Sequence, residues 1–206
     1  MGTFDAAQVG DRRVVRVGDV NVVIQAPKVL RDKIARTVRT FEVDHYGCPA
    51  THDVTRDPEQ RPTAPKDGLG RTGVFSVTAC RYAVLYASDR AITPPEQPSL
   101  LSSSRWRGKA ASDLVGAIEK APLGGGPNDS STCLDAYGDE MMTLRIDSGT
   151  GVSQMYVRYS GCGHHGFDDG ALIRSLTRPS LRPLLAGPNR QSGWDSSMSP
   201  LIDHVE

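Results

Sequence analysis

Six residues in two short stretches have the types and spacing of metal ligands. His45, Cys48 and His52 form a His-x-x-Cys-x-x-x-His run, and Cys162, His164 and His165 form Cys-x-His-His. Imidazole and thiolate suit zinc or copper, and folding could bring two such clusters to one tetrahedral ion. Four of the five histidines lie within a few residues of a cysteine, which makes the clustering worth testing. Neither spacing matches a common zinc module, and the adjacent His164 and His165 would donate together only from a bent loop. The plainer reading makes the histidines polar loop residues beside disulfides. Cys162 and His164 also have the composition of a thiolate–imidazole pair, an option that a disulfide removes.

The four cysteines, Cys48, Cys80, Cys133 and Cys162, are widely spaced and include no Cys-x-x-Cys pair. That pattern fits a disulfide framework better than a zinc site or a redox dithiol. The alternative is four buried free thiols. GFDDG, residues 166–170, pairs two aspartates between glycines but lacks the alternating oxygen ligands and the glutamate of an EF-hand. Asp168 and Asp169 are therefore expected to cap a helix starting near Gly170. No Gly-x-Ser-x-Gly elbow is present, and nothing distinguishes Asp44, Asp53 or Asp139 as catalytic carboxylates. GLGRTGVF, residues 68–75, resembles the phosphate-binding loop of protein tyrosine phosphatases, where backbone amides and an arginine cradle phosphate. Pro65 stands at the position of that family's cysteine and Ala64 at that of its histidine, so the nucleophile is missing.

Composition narrows the function. The chain has 206 residues, with 24 Lys+Arg against 24 Asp+Glu. A net charge of zero argues against a general nucleic-acid binder, which needs a basic excess to displace counterions. No apolar run approaches the roughly 18–20 residues of a membrane span. At 38% hydrophobic residues the chain has the means to build a core, as one domain or two small ones. The N-terminus has no apolar signal-peptide core, so taken as full length the chain is cytoplasmic. Cysteine usage points the other way, to an extracytoplasmic domain whose leader or anchor lies upstream.

Several elements must position these residues. Residues 1–11 read as a loose arm, and RRVVRVGDVNVVIQA, residues 12–26, as a hairpin turning near Gly18-Asp19. Residues 27–41 read as a basic amphipathic helix with Leu30, Ile34, Val38 and Phe41 facing a core. This end is locally positive, with eight basic and four acidic residues in 1–41. Residues 44–72 read as a long loop, 74–86 as a central strand and 88–104 as a second Pro/Ser-rich connection. Residues 108–122 read as a helix whose stripe is Ala111, Leu114, Val115 and Ile118. Residues 141–147 and 152–161 read as strands of a hairpin joined by SGTG. Residues 170–185 read as a helix broken near Pro179, and the last twenty residues as a polar tail.

No βαβ alternation is present, so the expected fold is α+β, an antiparallel sheet with two or three helices on one face, stapled by disulfides. The expected organisation is one domain over 12–186, with 12–43 as a possible separate hairpin–helix segment and a tail over 187–206. VTACRYAV (77–84), the helix ending in Ala-Pro (117–122) and YVRYSGC followed by HGFDDG (156–170) resemble uncharacterised secreted or membrane-anchored proteins of high-GC actinobacteria. The resemblance spans residues 41–186 and implies an extracytoplasmic location and paired cysteines. It brings no activity or catalytic residue. Four cysteines allow three connectivities, of which Cys48–Cys80 with Cys133–Cys162 is favoured. The leading functional reading is a non-catalytic extracytoplasmic domain that binds an unidentified protein or cell-envelope ligand, or serves as a structural module. A zinc or copper protein is the second reading, and a hydrolase with a site in the 44–72 loop the third. The leading reading implies no cofactor.

Overall fold

The protein was analysed as a computed structural model, which describes residues 6–9, 12–17, 20–66, 68–69, 73–84, 98–128, 137–190 and 199–202. The chain forms two compact units, residues 1–42 and 43–206. Among the described residues no helix is long and apolar enough to cross a membrane.

In the smaller unit, the valine-rich runs RRVVRV and VNVVIQ suit a pleated, half-buried surface. They form β2 (Arg12–Val17) and β3 (Val20–Gln25), with Val17 opposite Val20. Gly18 and Asp19, the expected turn, lie outside the described residues. Residues expected in a loose arm instead supply β1 (Ala6–Val9), paired antiparallel with β2. α1 (Lys28–Thr37) begins directly after Pro27. Its rotation corrects the expected stripe, because Leu30, Ile34 and Phe41 are exposed whereas Arg31 is buried. The Arg13 guanidinium donates to Asp32 at 2.9 Å and turns that side of the helix toward β2. On β2 and β3 the buried apolar side chains are Val15 and Ile24.

The larger unit is built on a six-stranded antiparallel sheet. Its strands are β4 (Val74–Ala83), β5 (Leu100–Arg107), β6 (Glu140–Ser148), β7 (Gly151–Arg158), β8 (Gly166–Asp168) and β9 (Ile173–Arg174). Their spatial order is β5-β4-β6-β7-β8-β9. The SGTG sequence turns β6 into β7, with Ser148 opposite Gly151. Alternate positions put Val77 and Ala79 of β4, Met142, Leu144 and Ile146 of β6, and Met155 and Val157 of β7 on one face. That face is covered by α2 (Lys109–Glu119), which buries the expected Ala111, Leu114, Val115 and Ile118. Leu181, at the end of α3 (Arg178–Leu181), and the following Leu184 and Leu185 complete this core. A last short helix, α4 (Ser199–Ile202), adds Leu201 and Ile202 at its edge. The architecture is α+β, with antiparallel sheets, helices and a Cys48–Cys80 disulfide.

Among the described residues no α-helix covers the opposite face of the sheet. Pairing aligns Ser103, Cys80, Thr143, Tyr156 and Asp168 in one row across it, and Tyr82, Met141 and Arg158 in the next. The long loop after residue 43 lies over these rows. Asp44 accepts from the Tyr46 and Cys48 backbone N–H groups at 2.9 and 2.8 Å and from the Ser103 hydroxyl. Cys48 is bonded to Cys80, and the Tyr82 hydroxyl donates to the Pro49 carbonyl at 3.0 Å. Val54, on a 3-10 turn (Asp53–Thr55), packs with Val84, Met141 and Tyr156. Arg158 then donates to the carbonyls of Pro58 and Gln60, and Arg61 reaches Asp168. The loop is thus the second layer of the sheet, cross-linked at one end and ion-paired at the other.

Three expectations change. β5 occupies part of the expected 88–104 connection; its serines are half-buried on an edge strand, where hydroxyls still reach partners. Residues 170–185 are not one helix, because the glycine run takes their backbone bonds. Gly124 N–H donates to the Ile173 carbonyl, Ser175 N–H to Pro122 and Leu176 N–H to Gly126. Pro179 opens α3 instead of breaking it, after a Thr177–Ser180 capping box. The expected tail is fixed at its start: buried Asn189 accepts from the Ser102 hydroxyl at 2.8 Å, and the Arg190 carbonyl accepts from buried Arg81 at 3.1 Å.

Candidate functional site

The structure does not gather the six expected metal ligands. Cys48 is buried in its disulfide with Cys80, with Cα atoms 5.6 Å apart, and has no thiolate to offer. His45 lies against the Tyr46 ring, centroids 3.8 Å apart. Cys162 is disulfide-bonded, which also removes the Cys162–His164 thiolate pair. Cys133, its expected partner, lies outside the described residues. His164 and His165 do meet in one cleft, described below. Among the described residues no group of three or more His, Cys, Asp or Glu side chains is placed to hold a metal ion. In the phosphatase-like stretch Leu69 is a core residue and Val74 begins β4, while Gly70, Arg71 and Thr72 lie outside the described residues.

His52 has a structural task. Its Nδ1 accepts the Val54 N–H at 3.2 Å, capping the 3-10 turn, and its ring packs near Tyr82 and Tyr156. Burial lowers its pKa below the usual 6.5, and the charge of Asp53 offsets this only in part. The folded state therefore favours neutral imidazole. The stability this contributes is present above pH 6.5 and is lost as pH falls through the lowered folded value. Urea denaturation at neutral pH and at about pH 5 should show an acid loss that His52→Asn reduces, since asparagine keeps a cap acceptor without titrating. An identical acid loss in both proteins would exclude His52 as its source.

A site with several convergent polar groups lies where the covering loop ends. It is a cleft of about 440 Å³ on the larger unit. One wall is Arg61 of the loop with Arg158 of β7 and Asp168 of β8. The other is the chain around Gly124, Gly125 and Asn128, with the Gly163–His165 turn and Tyr137 at its side. Asp168 is the pivot of the first wall. Its Oδ1 accepts from Arg61 Nη2 at 2.7 Å and from Gly170 N–H at 2.9 Å. Its Oδ2 accepts from Arg61 Nε at 2.9 Å and from Arg158 Nη1 at 3.2 Å. Burial acts to raise its pKa, but the bonds from Arg61, Gly170 and Arg158 outweigh this and hold it below the ordinary 3.8. Asp169 accepts from Ala171 and Leu172 N–H. These aspartates therefore fasten the β8–β9 turn, and no helix starts at Gly170 for them to cap.

His165 controls the second wall. It is 1% exposed. Its backbone N–H donates to Asn128 Oδ1 at 3.0 Å, and its carbonyl accepts from Gly126 N–H at 2.7 Å. This approach explains the glycine run: a Cβ on Gly125 would lie 2.8 Å from the His165 oxygen. The ring Nδ1 is hydrogen-bonded to the Pro127 carbonyl, which can only accept. In the neutral ring Nδ1 therefore carries the proton, and Nε2 presents a lone pair. Nε2 is buried and has no hydrogen-bond partner among the described residues. Beside it, His164 has φ 58°, uncommon for a residue with a side chain, and its ring stacks on Tyr137 at 4.5 Å and 11°.

Sequence reading located Asp168 and the two histidines but assigned them other tasks, and it missed Arg61, Arg158, Asn128 and Tyr137. Arg61 and Asp168 are 107 residues apart, and only folding joins them. The one usable signal was the triple glycine, which marks close backbone approach. Comparison with known proteins finds no family model, no curated protein and no solved structure that matches this chain.

Proposed function

We propose that the protein is a non-catalytic extracytoplasmic binding domain whose cleft takes a small polar solute of the cell exterior or envelope. The observation that carries this reading is His165, a lining residue of the polar cleft whose buried Nε2 has no hydrogen-bond partner among the described residues. A ligand donor supplies what that nitrogen lacks. The other groups favour binding over chemistry. Asp168 has its acceptor sites occupied and is held ionised, so it is poorly suited to proton transfer. Cys48, Cys80 and Cys162 are disulfide-bonded, and structural disulfides persist in oxidising compartments. The resemblance to secreted or membrane-anchored actinobacterial proteins supports the same location.

Thermal unfolding of the full chain with a panel of small polar solutes tests the reading. At least one should raise the midpoint in a concentration-dependent way, as expected of a ligand that binds only the folded state. His165→Ala should abolish the rise. A panel that moves neither protein, or moves both equally, would sink the proposal.

A further inference from the structure

We infer that the solute is a neutral polyhydroxylated molecule, a saccharide, and this inference rests on the cleft being a binding site. Charge is the first argument. Among the described lining residues, Arg61 and Arg158 are matched by Asp168 and the exposed Glu59. Asp168 pairs with both guanidinium groups, and with Glu59 the described set sums to zero, so its net charge selects neither an anion nor a cation.

Hydrogen-bonding capacity is the second argument. His165 Nε2 accepts and needs a donor. Across the same wall, Asn128 uses its Oδ1 on the His165 N–H, which leaves its amide NH2 as a donor group. Arg61 spends Nε and one Nη2 N–H on Asp168, and its side chain is 45% exposed with N–H groups to spare. A ligand here must both donate and accept at neighbouring atoms. A carboxylate or a fully ionised phosphate monoester cannot donate to Nε2, inorganic phosphate offers at most one O–H, and an ammonium cannot accept from Asn128 or Arg61. A row of hydroxyls does both.

Shape is the third. The Tyr137 and His164 rings stack on one another beside these polar groups, so the pair presents the outer face of one ring. One face of a pyranose is a patch of C–H groups, apolar enough to lie on an aromatic face while its hydroxyls reach the cleft wall. His164 holds its ring in this stack from a left-handed backbone, φ 58°. The cleft's volume of about 440 Å³ falls among small-molecule sites.

Saturation-transfer NMR on the full chain, with probes at millimolar concentration, distinguishes the possibilities. Neutral probes are glucose, trehalose, cellobiose and chitobiose; charged probes are inorganic phosphate, citrate and spermidine. At least one neutral saccharide should bind saturably, with affinity weakened about tenfold or more by Tyr137→Ala and by His165→Ala. His165→Gln, which restores an acceptor, should recover part of the loss and guards against a folding defect in the alanine variant. Saturable binding of charged probes alone would overturn the saccharide assignment while leaving the cleft a binding site. Binding of no probe at all would overturn both readings. Saccharide binding unaffected by Tyr137→Ala and His165→Ala would place the site elsewhere and overturn the assignment to this cleft.

Discussion

Asp168→Ala is expected to lower folding stability by about 3–5 kcal/mol, the usual cost of stranding a buried charge by removing its partner. The stranded charge is Arg158, whose side chain is 6% exposed. Two of its donors would still reach the carbonyls of Pro58 and Gln60, but no anion would face it at 3.2 Å. Arg61 does not suffer equally, since its side chain is 45% exposed and water can take over its bonds. Arg61→Ala should therefore cost no more than about 1 kcal/mol. Asp168→Asn should fall between the two, because it keeps an acceptor for Gly170 N–H while losing the charge. The pH dependence has a definite sign. A carboxyl held below 3.8 in the folded state contributes stability above that pH, and the contribution is lost as pH falls through the folded value. Urea denaturation of the three variants at neutral pH, and of the wild type through the acid range, measures both effects. If Asp168→Ala costs no more than Arg61→Ala, the paired carboxylate is not the pivot described here.

The contrast between Arg61 and Arg158 also shows where sequence reading stops. Local signals identified what local physics controls: the SGTG hairpin of β6 and β7, the stripe Ala111, Leu114, Val115, Ile118, and β4 as a central strand. Each is decided by a period or a turn within about a dozen residues. Failures came where a distant segment supplied the deciding bond. ALIRSL has apolar spacing suited to a helix, yet residues 173–176 pair with the glycine run some fifty positions earlier. LLSSSRWR lacks alternating apolar residues, yet it is β5 because β4 offers it an open edge. Leu30 and Ile34 have helical spacing, yet a small sheet and the Arg13–Asp32 pair leave them exposed. Cleft residues were least legible of all. Arg61, Arg158 and Asn128 have no motif, and their meaning comes from rows of strand register that a linear reading does not contain.

Loss of the Cys48–Cys80 bond is expected to cost about 3–4 kcal/mol by the loop-closure model, because the cysteines are 32 residues apart. A Cys48→Ser, Cys80→Ser double variant should show this as a lower urea midpoint, and reductant should then have less effect than on the wild type. The bond's place in the fold predicts where the loss appears. Between Cys48 and Arg61 the loop covers Tyr82, Tyr156 and Arg158, so amide exchange over 49–61 should quicken before that of β6 and β7. The loop's far end is held by Asp168, so the two attachments restrain one segment between them. Once either is cut, the other restrains a segment already freer to leave the sheet. The costs of the cysteine and Asp168 changes should therefore fail to add, with a coupling above about 0.5 kcal/mol in a double-mutant cycle. Strict additivity, or a cysteine cost below about 1 kcal/mol, would mean that the sheet-facing contacts of His52, Val54 and Pro58 hold the loop without the cross-link. The same coupling bears on the proposed binding cleft, since a loop released at Cys48 would keep Arg61 at its mouth through Asp168 alone.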